Sequence, residues 1–211
     1  MTLAWHFLPD DGMTADHTGD TLRQKVQAGQ TLTVKPPVIP CENGLHWSRR
    51  AIDALRYAPG AIICRVRASG EIEEETDKGC SSERTCIAMA DAITTLHEFA
   101  VWSARGALTR EREAGRKPDP RSWAALEVKE RWIRGEATDG ELAVAESAAR
   151  AAARAAAEYS AVYSAASAAE SAARAAAWYS AEYAAGDSQN EELERRLFIL
   201  LGIDTTTGGS Q

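Results

Sequence analysis

At 211 residues the chain is long enough for one domain or for two modest ones. Its net charge of −7, with acidic and basic residues interspersed, leaves no basic stripe to neutralise a run of phosphates, so nucleic-acid binding is disfavoured. The first residues, MTLAWHFLPDDG, carry neither a positive segment nor an apolar core of the kind that directs export, and the four cysteines are therefore expected as reduced thiols in a cytoplasm. Composition changes along the chain. Residues 1–80 mix prolines, threonines and short apolar runs, whereas residues 141–185 are mostly alanine without glycine or proline. That stretch could span a bilayer by length, but Arg150, Arg154, Glu158, Glu170, Arg174 and Glu182 recur through it, which excludes a membrane span. The expected fold class is α+β: a small α/β module over residues 1–80, then an alanine-rich part of about four helices over 81–203, with 204–211 as a disordered tail.

In chain order, TLAWHFLP predicts a first strand and DDGMTADHTGD a loop. GQTLTVKPP predicts a second strand, with Leu32 and Val34 on one face and a Pro-Pro stop. The segment CENGLHWSRRAIDALRYAPGAIICRVRASGEI predicts strand, short helix, strand, with Ser48 as N-cap, Ala51, Ile52 and Leu55 as the helical stripe, and APG as the stop. In AIICRVR, Ile63, Arg65 and Arg67 alternate with Ile62, Cys64 and Val66, the period of a half-buried strand. EIEEETDK reads as a solvated turn, since it lacks the alternating oxygen ligands of a calcium loop.

Four helices are expected next. Ser81 or Ser82 opens the first, with Ile87, Ala90, Ile93, Leu96, Ala100, Ala104 and Leu108 as its stripe. Asp119 and Pro120 open the second, which stops at Gly135. Thr138 with Glu141, and Ser188 with Glu191, are capping-box pairs that open the third and fourth. The third, over 139–185, contains a repeat: RAAAEYSAVY at 154–163 returns as RAAAWYSAEY at 174–183. A period of four on a helix of about 3.6 residues per turn makes the alanine row drift, so a partner that follows it must wrap. Packing against neighbouring helices is the ordinary use of such a face. The alternative is that Tyr159, Tyr163, Trp178, Tyr179 and Tyr183 dock a partner or a second copy, since aromatic anchors are enriched at interfaces.

Three sets of residues carry candidate chemistry. Cys41, His46, Cys80 and Cys86 comprise four potential zinc ligands, but their spacings are looser than a C-x-x-C knuckle. Cys41 with His46 or His97 could form a nucleophile and its base; the plainer reading is that Gly44 makes a bend and His46 sits on a strand. The strand-helix-strand segment looks like the central piece of the ADP-ribosyltransferase fold. That likeness implies NAD as cofactor, with His6, Ser48 and Glu71 or Glu73 as the positions that bind it and orient the nucleophile.

The motif Cys-Glu-x-Gly-Leu-His with its short helix and the strand leading to Ser-Gly-Glu-Ile resembles the core of an uncharacterised family of small phage and bacterial proteins. Residues 117–157 and the closing QNEELERRL resemble an alanine-rich helical module of actinobacteriophage proteins and of bacterial proteins described as immunity proteins. These resemblances imply a phage or prophage accessory protein without a catalytic residue to carry over. The expected function is accordingly non-catalytic protein binding through the long helix, with no cofactor. An NAD-using transferase and a zinc-stabilised binding module are the alternatives.

Overall fold

The structure, a computed structural model, describes residues 1–14, 23–164 and 186–204, with the backbone alone for 153–164. The fold is α+β, an N-terminal antiparallel sheet followed by helices. The chain divides into two compact units: Met1–Thr95 with Ser188–Gln211, and Leu96–Asp187.

In the sheet unit, β1 (Thr2–Leu8), β2 (Thr31–Thr33), β3 (Leu45–Trp47), β4 (Ile62–Glu74) and β5 (Gly79–Asp91) form one antiparallel sheet. Its order is β1-β4-β5-β2, and β3 also pairs with β5, opposite Gly79–Ser81, where β2 lies opposite Glu83–Thr85. The short helix α1 (Ala51–Arg56) joins β3 to β4. The long hairpin β4–β5 is the backbone of the unit, with irregular register between Arg65 and Val66 and between Ser69 and Ile72. Residues directly opposite across a ladder share a face. Hence His6 and Cys64, Val66 and Cys86, and Leu32 with Arg84 and Ala68 lie on one face, where Ala4, Leu8, Val26, Leu32, Cys64, Val66 and Cys86 make the core.

The other face receives a C-terminal helix, α5 (186–201). Leu193 and Leu197, four residues apart and so on one stripe, are fully buried. The Phe198 ring sits 5.0 Å from that of Trp5, and the Arg65 guanidinium lies 4.4 Å from the Trp5 ring centre. Helix α5 also supplies what α1 lacks. Arg50, the N-cap, makes no side-chain cap, and Ser48, expected there, is instead buried in a bridge to β1, with Trp5 N–H donating to its carbonyl at 2.8 Å. The first N–H groups of α1 donate to α5: Ala51 to Glu194 Oε1 at 3.2 Å and Ile52 to Asn190 Oδ1 at 3.1 Å.

The helix expected to open at Ser81 or Ser82 is not there. Residues 79–91 are β5, and α2 (Ile93–Glu113) starts only at Ile93. The physical reason is that β5 buries polar side chains. Ser81, Ser82 and Arg84 are buried with Cys80 and Cys86, so the alternation of a strand is hidden from a reading that counts polar residues as exposed.

In the helical unit, α3 (Pro120–Ile133) is capped by Asp119, whose carboxylate accepts from Arg121 N–H, as the Asp-Pro pair predicts. Helix α4 (Asp139–Ser164) opens on the expected capping box: Thr138 N–H donates to Glu141 Oε2 at 2.8 Å and Glu141 N–H to Thr138 Oγ1 at 3.2 Å. An Arg105–Glu130 pair at 2.7 Å ties α2 to α3, and the His97 ring meets Trp132 edge-on at 5.1 Å. The helix expected over 139–185 is present to Ser164, and its continuation lies outside the described residues. Helix α5 is already helical at 186, so Ser188 lies inside it rather than at its cap. Among the described residues no helix is long and apolar enough to cross a membrane.

Candidate functional site

The bridge that ties Ser48 to Trp5 leaves a cavity of about 350 Å³ between β1, the end of β3, α1 and the β4–β5 turn. Aromatic rings dominate its wall: Trp5, Phe7, Trp47 and Tyr57, with Pro9 and Pro59. Its polar groups are few and convergent. His6, Cys41, His46, Ser48 and Lys78 all line it. A second cavity of about 70 Å³ shares His6, Cys41 and His46 with the first and reaches Arg84.

Cys41 sits at φ 66°, a left-handed conformation rare for a residue with a Cβ. Two contacts hold it. Its N–H donates to His46 Nε2 at 3.0 Å, and its Sγ accepts from Lys78 Nζ at 3.2 Å. The Lys78 ammonium is held above its ordinary range, first by that sulfur and then by Glu75, 3.5 Å away. Tyr57 donates its hydroxyl to Asp77 at 2.8 Å, which raises its phenol, and Lys78 lies 5.4 Å from the Tyr57 ring. Gly44 is forced: at φ 152°, its Cβ would stand 2.8 Å from Cys80 Cβ. The indole N–H of Trp47 is buried and meets no acceptor among the described residues.

Of the candidate sets, the structure gathers parts. Cys41 and His46 do meet, yet His46 spends Nε2 on the Cys41 main chain, not on the thiol. The sulfur faces an ammonium instead, so His46 is not placed as its base. His97 belongs to the helical unit. Cys80 pairs with His46 across β3–β5, but the Cys86 sulfur is hydrogen-bonded to the free thiol of Cys64, and that bond first and burial second keep Cys64 protonated. Among the described residues no group of three or more His, Cys, Asp or Glu side chains is placed to hold a metal ion. His6 and Ser48 line one cavity, whereas Glu71 and Glu73 do not; Glu71 falls within the irregularity between Ser69 and Ile72 and Glu73 past it, and the Glu71 carboxylate accepts from Val38 N–H at 2.8 Å. Tyr159 and Tyr163 fall in α4 where the backbone alone is described, and Trp178, Tyr179 and Tyr183 lie outside the described residues.

Sequence reasoning missed Arg84, Lys78 and the aromatic wall. Arg84 stands two residues before Cys86 and four after Cys80, a period-two pattern that marks it as inward-facing once 79–91 is known to be a strand.

No curated protein and no solved structure matches the chain. Residues 12–98, which hold β2 to β5, α1 and both cavities apart from their β1 wall and Pro9, match the model of a domain of unknown function, DUF7666.

Proposed function

We propose that the sheet unit is a non-catalytic binding module that takes a small molecule with a flat, apolar body into the larger cavity, within a phage- or prophage-type accessory protein. The observation that supports this is the cavity itself. Its volume of about 350 Å³ falls in the range of ligand sites, and an aromatic wall with a few convergent polar groups is their usual chemistry. A binding role is favoured over catalysis because His46 is engaged by a main-chain N–H and, among the described residues, no carboxylate joins His6 and Ser48 in the wall.

Trp5 and Trp47 line the cavity, so their fluorescence reports occupancy. Titration with neutral planar compounds, adenosine, nicotinamide and indole among them, should quench it saturably. Tyr57→Ala, at a residue 52 % exposed and outside the core, should weaken the binding about tenfold. A flat response across the panel would sink the reading. Release of nicotinamide from NAD by the intact chain, lost in His6→Ala, would instead favour the transferase alternative.

The second reading is partner binding or self-association through the alanine-rich helix, supported by the aromatic residues that recur in its sequence, since such residues are enriched at interfaces. Replacing Tyr159, Tyr163, Tyr179 and Tyr183 together with serine should abolish association and keep helicity; a loss of helicity would show the row to be core.

A further inference from the structure

Arg84 is the least expected residue in the sheet. It lies on β5 between Leu32 of β2 and Ala68 of β4, and it is only 5 % exposed. A guanidinium in such a place is ordinarily matched by a carboxylate, since a buried charge without a counter-charge is strongly unfavourable. Among the described residues no carboxylate pairs with it. Among those residues it makes one hydrogen bond, from Nη1 to the main-chain carbonyl of His46, and the groups that face it electrostatically are Cys64 and Cys86. Burial pushes the guanidinium down to about 10, which leaves it protonated at neutral pH. The charge remains, and a backbone carbonyl does not neutralise it.

The smaller cavity lies against this residue. It holds about 70 Å³, and its further polar lining is His6, Thr14, Gln24, Thr33, Asn43 and His46 together with one carboxylate, Glu42, which is not paired with Arg84; it shares His6, Cys41 and His46 with the aromatic cavity. His46 accepts at Nε2 from the Cys41 N–H, and its ring lines both cavities. A planar fork of donors, buried beside a small polar cavity and without a paired carboxylate among the described residues, is the arrangement that recognises an oxyanion in bidentate fashion.

We infer that Arg84 is an anion-binding residue, and that the small cavity takes the phosphate or carboxylate of a ligand whose flat body occupies the aromatic cavity. The ligand class is an aromatic compound with one anionic group, of which a nucleoside monophosphate is the simplest representative. The position of the body rests on the binding reading above; the anion contact rests on Arg84 alone.

Thermal unfolding of the full chain at constant ionic strength tests it, with chloride as reference and inorganic phosphate, adenosine and adenosine monophosphate as probes. Phosphate should raise Tm by a few degrees in a concentration-dependent way, since a ligand of the native state stabilises it. Adenosine monophosphate should bind at least about tenfold more tightly than adenosine. Arg84→Met, apolar and of similar length, should match or exceed the wild-type Tm in chloride and lose the phosphate response, because an uncompensated charge has been replaced by packing. Should that variant not fold, Arg84→Lys serves: it keeps the charge without the fork, and its phosphate affinity should fall about tenfold. Absence of a phosphate response in the wild type, or a response unchanged in either variant, overturns the assignment. Adenosine bound as tightly as its monophosphate would also overturn it while leaving the aromatic cavity as a binding site. A phosphate response without adenosine binding would support Arg84 and sink the cavity reading.

Discussion

Cys41 and the three other cysteines occupy opposite environments. Cys64, Cys80 and Cys86 are buried in the sheet, and Cys41 is exposed on its turn with Lys78 at the sulfur. Titration with an aromatic disulfide reagent should therefore modify one thiol per native chain and four after denaturation, and Cys41→Ser should bring the native count to zero. More than one reactive thiol in the native chain would mean that the sheet opens under those conditions. Glu192 offers a pH test at the same scale. Hydrogen bonds from Arg195 and Arg196, both at 2.7 Å, hold its carboxyl down at about 2, from an ordinary 4.5. A depressed carboxylate contributes stability that is present above the unfolded value and lost as pH falls through the folded one. Denaturant unfolding of wild type and Glu192→Gln should differ at pH 6 and converge between about 4.5 and about 2.

Between α1 and α5 the structure closes a gap that neither helix could close by itself. A six-residue helix has few internal bonds, and its leading N–H groups must find acceptors elsewhere. Asn190 and Glu194 provide them, and Glu194 also accepts from the Trp5 indole at 3.1 Å. The double substitution Asn190→Ala with Glu194→Ala should cost about 1–3 kcal/mol, by the usual cost of a lost cap or an unmade buried bond, read by denaturant unfolding. Leu197→Ala, in the same helix and fully buried, should cost about 2–5 kcal/mol through the cavity it leaves. These contacts explain which elements were legible. β1, α3 and α4 carry local signals, in alternation, in Asp119-Pro120 and in Thr138 with Glu141, and they begin where those signals place them. β4 forms on AIICRVR but runs on to Glu74, so the first half of EIEEETDK, expected as a turn, is strand paired with β5. α1 carries Ser48, a good cap by type, but the cap is displaced by residues some 140 positions away, information that no local window holds. β5 was hidden for the opposite reason, because its inward row includes Ser82 and Arg84, and a buried polar row has no hydrophobic period. The candidate site inherits both problems. Cys41 and His46 stand out from sequence as unusual neighbours, whereas Arg84 becomes visible only through the strand that carries it.

At the scale of the molecule, the chain leaves the sheet unit after Thr95 and re-enters it at Ser188, so the helical unit is inserted between the hairpin and the helix that completes its core. The contacts that complete the sheet, Leu193 and Leu197 in the core, Phe198 on Trp5, Asn190 and Glu194 on α1, all come from after the insertion. Two outcomes follow from that arrangement. Removing 188–211 should strip the sheet of the helix on its Trp5 face, take the Phe198 ring from the Arg65 guanidinium and the acceptors from the α1 N–H groups, and abolish cooperative unfolding of the unit. Removing 96–187 and joining Thr95 to Ser188 through a flexible linker of about 20 residues should leave those contacts available, because the entropic cost of closing a loop rises only with the logarithm of its length. Near-ultraviolet circular dichroism of Trp5 and Trp47, with a single denaturant transition, is the measurement. A loss of that signal in the linker variant would show that the sheet depends on the helical unit for its fold. Its retention, together with saturable quenching by the same planar compounds, would assign both cavities to the sheet unit as a self-sufficient binding module.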